Sequence, residues 1–92
     1  MVVKGFVQGV GFRYFCEEIA NRFELTGWVR NRSDGHVELE VQGSKNSVES
    51  FLSKVKKGPV LSHVSDLLKQ EIMVQSDESS FIIRYLLAHH GV

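Results

Sequence analysis

The run Gly5-Phe6-Val7-Gln8-Gly9-Val10-Gly11-Phe12-Arg13 combines two closely spaced glycines with an arginine, the residue types needed to hold a small anion. Successive main-chain N–H groups of a tight glycine turn can point inward as a nest, and the positive end of a following helix adds to their pull on a phosphate-like group. Gly9 and Gly11 let the backbone take positive φ and approach a ligand closely. Arg13 brings a planar fork of donors that matches two phosphate oxygens, where a lysine would give a point charge. The candidate anion-binding residues are therefore Gln8, Gly9, Val10, Gly11, Phe12 and Arg13. Taken singly they have plainer readings: a lone glycine pair is usually a turn, and Arg13 alone more often faces solvent or pairs with Glu17, its i+4 neighbour.

Other chemistries fail on order or spacing. A cysteine-dependent phosphatase needs its thiolate at the start of the phosphate loop and its arginine at the end, whereas Cys16 follows Arg13. The glycine run lacks the third glycine of a dinucleotide fingerprint, and no lysine followed by serine or threonine completes a nucleotide P-loop. His36, His63, His89 and His90 share no metal-ligand spacing, and His89-His90 is best read as solvated.

Composition narrows the classes further. Ninety-two residues suit a single domain spanning 1–92, and a chain this short buries roughly 60–65% of its unfolded surface in one modest core. Eleven basic and eleven acidic side chains cancel, which removes the long-range field of a dedicated nucleic-acid or membrane-surface binder. Any bound anion must be held locally. One cysteine forms no internal disulfide, and no secretion signal or membrane span is visible, so a cytoplasmic protein is expected.

The elements that must position the glycine turn follow from periodicity. Val2 to Val7 reads as an interior strand, interrupted by Lys4 and Gly5. From Tyr14 to Phe23, Phe15, Ile19, Ala20 and Phe23 recur at helical spacing. Leu25 to Asn31 reads as a strand, Ser33-Asp34-Gly35 as a hairpin turn, and Val37, Leu39 and Val41 as the buried face of the returning strand. Val48, Phe51, Leu52 and Val55 mark a second helix that Gly58-Pro59 stops. An extended stretch is expected within Val64 to Val74, where Leu67-Leu68 breaks the alternation. A polar turn over Ser76 to Ser80 then leads to a last strand, Phe81 to Tyr85. Residues 86–92 show no clear pattern. The order β-α-β-β-α-β-β implies an α+β, ferredoxin-like sandwich with two helices on one face of a mainly antiparallel five-stranded sheet.

The glycine run resembles the signature of the acylphosphatase family, and Gly27-Trp28-Val29-Arg30-Asn31 followed by Asp34-Gly35-His36-Val37-Glu38 is similar to the family's second signature in content and spacing. The resemblance implies the same fold and hydrolysis of small acyl phosphates to a carboxylate and inorganic phosphate. It assigns phosphate binding to Arg13 and orientation of the attacking water to Asn31. It also implies that the substrate's own phosphate oxygen takes the proton, with no cofactor and no metal. Asn31 suits that role because a carboxamide both accepts from and donates to water, although asparagine alone is often a strand-end residue. Inorganic phosphate or sulfate should compete for the cradle, and a monomer is expected, with no nucleic-acid or membrane partner. Trp28 is read as core or as a packed cover for the site, without chemistry. Arg32 stands where the animal enzymes often carry a small hydroxyl residue, and is expected to face water. A non-catalytic module, like the acylphosphatase-like domains of carbamoyl-transfer maturation proteins, is the competing reading; a chain of this length leaves no room for their other domains. RNA binding is more distant, since the aromatic-rich sheet motif and basic balance are missing.

Overall fold

Val37 and Leu39 are fully buried while the intervening Glu38 and the following Glu40 remain partly exposed, the one-sided burial expected of an antiparallel strand. The computed structural model describes residues 1–9, 11–59, 62–68 and 78–85. Within them the chain runs β1 (Val2–Phe6), α1 (Phe12–Arg22), β2 (Thr26–Asn31), β3 (Val37–Gln42), α2 (Lys45–Lys57), β4 (His63–Leu68) and β5 (Phe81–Arg84). The strand order is β4-β1-β3-β2-β5, and only the β2–β5 pair is parallel. Phe12, Cys16, Ile19 and Ala20 of α1 and Phe51 and Val55 of α2 join Val3, Val29, Val37, Leu39 and Phe81 in one core. This is the expected ferredoxin-like arrangement, with two helices packed on a mainly antiparallel five-stranded sheet.

Element boundaries differ from expectation where caps or bulges intervene. Helix α1 starts at Phe12 rather than Tyr14, because Gly11, at φ 76° and ψ 18°, is already its N-cap. Arg13 therefore lies in the first helical turn. Phe12 and Cys16 are the fully buried members of its first half, while Phe15 and Phe23 pack only at the margin of the core. Leu25 does not open β2. Its N–H bonds to Ala20 O at 2.8 Å and helps close the helix, after Glu24 has turned to φ 59°.

The interruption at Lys4-Gly5 is a register shift. Lys4 pairs with Asp66 and Gly5 with Val64, so Ser65 is an extra residue on β4, as in a β-bulge. The bulge explains why Leu67 and Val64, three positions apart, both pack against the core while Leu68 is exposed. Gly5 has φ 128°, and a Cβ there would fall on the His63 carbonyl. Helix α2 matches its expected stripe, with Phe51 and Val55 buried and Val48 and Leu52 packed beside them. Ser44 caps it by accepting the Ser47 N–H at 3.2 Å. The continuation of the fourth strand beyond Leu68, most of the polar turn and the tail 86–92 lie outside the described residues. Among those described, no helix is long and apolar enough to cross a membrane.

Candidate active site at the β1–α1 loop

Strand β1 ends at Phe6, and the chain then turns through Gln8 and Gly9 into the N-terminus of α1. Gly9 and Gly11 both sit at φ 76°, and a Cβ built on either meets nothing within 4 Å. Conformation, not crowding, therefore demands glycine at both, and the space beside the loop is open. Among the described residues, no main-chain oxygen takes the N–H groups of Gly9, Gly11, Phe12 or Arg13. The N-cap has no side-chain hydrogen bond, and the first turn of α1 carries no acidic residue. Donors free of main-chain partners among the described residues thus stand beside the positive helix end, which is the local condition for holding an anion. Val10 lies outside the described residues.

The Gln8 side chain has a separate task. Its Nε2 donates to Arg32 O at 2.7 Å and to His36 O at 2.9 Å. Both carbonyls belong to the β2–β3 turn, which is closed by Arg32 N–H to His36 O at 2.8 Å. Both donors of the carboxamide are thereby committed, so only the main chain of Gln8 remains for an anion. The same two bonds tie the glycine loop to the hairpin that begins after Asn31.

Asn31 is the last residue of β2 and pairs with Val37 of β3. Directly opposed residues share a face, and Val37 is fully buried under the helices. The Asn31 side chain is therefore on the helix-covered face, half-buried, at the end of the sheet reached by the loop. Arg13 is brought to that end and face as well. Its Cζ lies 5.0 Å from the centroid of the Tyr85 ring. Tyr85 follows Arg84, whose pairing partner on β2 is Arg30, the residue before Asn31. Tyr85 also has the parity of the core-facing Phe81 and Ile83. Among the described residues no carboxylate is within ion-pair distance of Arg13, so the alternative pairing with Glu17 is not formed.

Arg32 and Trp28 resolve differently from their sequence readings, while Cys16 agrees with its own. Arg32 is not simply solvated: it pairs with Asp34 at 2.9 Å and donates from Nε to both carboxylate oxygens. Desolvation pushes the Asp34 carboxyl up, but the His36 N–H and then Arg32 outweigh it and hold the group below its ordinary value. Trp28 is buried yet alternates with Val29, so it lies on the sheet face away from the helices and does not cover the site. There its Nε1 donates to Glu40 at 3.1 Å, and Arg30 and Arg84 lie over its ring. Cys16 is fully buried, and burial pushes its thiol far above the ordinary range. A thiol so held stays protonated and is no nucleophile.

The residues that sequence reasoning missed at this end of the sheet are Tyr14 and Tyr85. Tyr14 follows Arg13 directly, but nothing in the local pattern of Phe81 to Tyr85 signals a contact with the first helical turn.

Comparison with known proteins agrees with this fold. The family model described as Acylphosphatase matches residues 1–83. An acylphosphatase of Clostridium beijerinckii is 48% identical over 84 residues, which is 91% of this chain and 93% of that protein. The crystal structure of acylphosphatase from Bacillus subtilis superposes with a TM-score of 0.87 at 43% identity, covering 91% of this chain and 93% of that one. Full-length HypF in its phosphate- and nucleotide-bound form gives a TM-score of 0.81 at 35% identity, with 90% of this chain matching 11% of that one.

Proposed function

The chain belongs to the acylphosphatase family, and on that premise we propose that Arg13 and Asn31 carry out its hydrolysis of small acyl phosphates without a metal ion. The activity itself, cleavage of an acyl phosphate to a carboxylate and inorganic phosphate, is what family membership means. The observation that carries the proposal is the set of N–H groups at Gly9, Gly11, Phe12 and Arg13 that no main-chain oxygen of the described residues takes, at the sheet end where Asn31 closes β2.

In this reading the main-chain donors and the Arg13 fork take the phosphoryl oxygens. They stabilise the charge that spreads over them in a loose transition state. Asn31 accepts from and donates to a water and lines it up opposite the acyl oxygen. The water oxygen bonds to phosphorus as the phosphorus–acyl oxygen bond breaks, and the carboxylate departs with the electron pair. A phosphate oxygen takes the water proton. A carboxylate has a conjugate-acid pKa of about 4, so it leaves without a general acid. The loop offers N–H donors and a guanidinium rather than carboxylates, a donor set suited to an anion and not to a cation.

The same reading makes inorganic phosphate or sulfate a competitive inhibitor, since each fits the phosphoryl cradle. It also expects a monomer, as one copy supplies every group named, and a cytoplasmic location. The test is turnover of a generic acyl phosphate in chelator-treated buffer, beside an unactivated phosphate monoester. Arg13→Ala and Asn31→Ala should each lower kcat/KM by about 10²–10³-fold or more with melting unchanged, and the monoester should be untouched. Wild-type rates in both variants would remove these roles.

A further inference from the structure

Arg13 has no carboxylate among the described residues to fix its guanidinium. A long, rotamer-rich side chain that must present a flat fork to a small anion needs some other support. The surface it lies against is the ring of Tyr85, 5.0 Å from Cζ to centroid. A cation–π contact of this kind leaves the N–H groups of a guanidinium uncommitted, whereas a carboxylate partner would consume two of them and cancel the charge.

Tyr85 also neighbours Tyr14, on the helix that carries Arg13, and that phenol raises the Tyr85 hydroxyl above its ordinary pKa. The two rings are 61% and 54% exposed, so neither is there as core. β5, which ends just before Tyr85, runs parallel to β2, so Tyr85 reaches the level of Asn31 from the neighbouring strand.

We propose that Tyr85 is a positioning residue for the reaction, whose ring holds the Arg13 guanidinium flat with its donor edge open to the phosphoryl group. The inference rests on the reading of Arg13 as the phosphoryl-binding side chain. Tyr85 itself touches no substrate in this account. It acts on phosphate affinity through Arg13, and the ring, not the hydroxyl, supplies most of the effect.

The experiment uses inorganic phosphate as the probe. Its inhibition constant, together with kcat and KM for an acyl phosphate, is measured for wild type, Tyr85→Leu, Tyr85→Phe and Arg13→Ala, each checked by thermal melting. Tyr85→Leu should weaken phosphate about two- to fivefold, and Tyr85→Phe should restore it nearly to wild type. In the wild-type protein the Arg13 Nε–H resonance should carry a ring-current shift that persists in Tyr85→Phe and disappears in Tyr85→Leu. That shift can be read even if the leucine variant folds poorly. Unchanged phosphate affinity in Tyr85→Leu, equal losses in both Tyr85 variants, or an unshifted wild-type resonance would each overturn the inference. If Arg13→Ala binds phosphate as wild type does, the assignment of Arg13 is wrong and this inference goes with it. Loss in Arg13→Ala without loss in Tyr85→Leu leaves that assignment standing and removes only Tyr85.

Discussion

Gln8 donates from its side-chain nitrogen to the main-chain oxygen of Arg32 at 2.7 Å, across 24 positions of sequence. A second bond from the same nitrogen reaches His36 O at 2.9 Å, so one carboxamide fastens the anion loop to the hairpin next to Asn31. Replacing Gln8 by the similarly shaped methionine leaves two partly buried carbonyl oxygens without this donor. The expected cost is about 1–3 kcal/mol of stability, read from urea unfolding, together with weaker inhibition by phosphate. An unfolding midpoint equal to wild type would show that water replaces the clip at no cost.

Arg13→Lys keeps the charge and discards the fork. A point charge cannot engage two phosphoryl oxygens side by side or lie flat on Tyr85. We expect kcat/KM for an acyl phosphate to fall at least about tenfold, the equivalent of about 1.4 kcal/mol, with melting unchanged. Activity within a factor of two of wild type would mean that net charge alone suffices.

The glycines before the helix should separate into two classes. At Gly11 an added methyl meets nothing, so Gly11→Ala loses only the left-handed conformation, roughly 1–2 kcal/mol. At Gly5 the methyl would fall on the His63 carbonyl of a paired strand. Gly5→Ala should therefore be the more damaging, lowering stability by more than about 2 kcal/mol or preventing folding. Denaturation of the two variants side by side decides the order; the reverse order would contradict the bulge.

Cys16 should make the folded state less stable at alkaline pH. Burial raises the thiol's folded pKa above its ordinary value near 9. Above that pH the unfolded chain releases the proton while the folded chain keeps it, so the folded state binds more protons and stability falls as pH rises. The slope from this group is about 1.4 kcal/mol per pH unit. It should vanish in Cys16→Ala, while kcat stays at the wild-type value because the thiol does no chemistry. Identical alkaline slopes in the two proteins, or rapid labelling of the native thiol, would show that Cys16 is reached by water.

Much of this was legible from local order. Apolar spacing set the sequence of seven elements, and the two glycines with Arg13 and Asn31 marked the loop and the strand end that face each other. Boundaries shifted where a neighbour competed for a main-chain group, as when Leu25 N–H closed α1 instead of opening β2. Leu67-Leu68 looked irregular because its partner strand, not β4 itself, holds the glycine of the bulge.

By itself the sequence determined which elements form, in what order, and where a backbone able to cradle an anion must occur, because periodicity and glycine conformation act over a few neighbouring residues. Only the tertiary structure decided that Gln8 spends its carboxamide on the hairpin, that Trp28 lies on the far face, and that Arg13 rests on Tyr85 rather than on Glu17. Those outcomes depend on which strands become neighbours and on which side each residue emerges, and a strand's partners are chosen by the packing of the whole sheet.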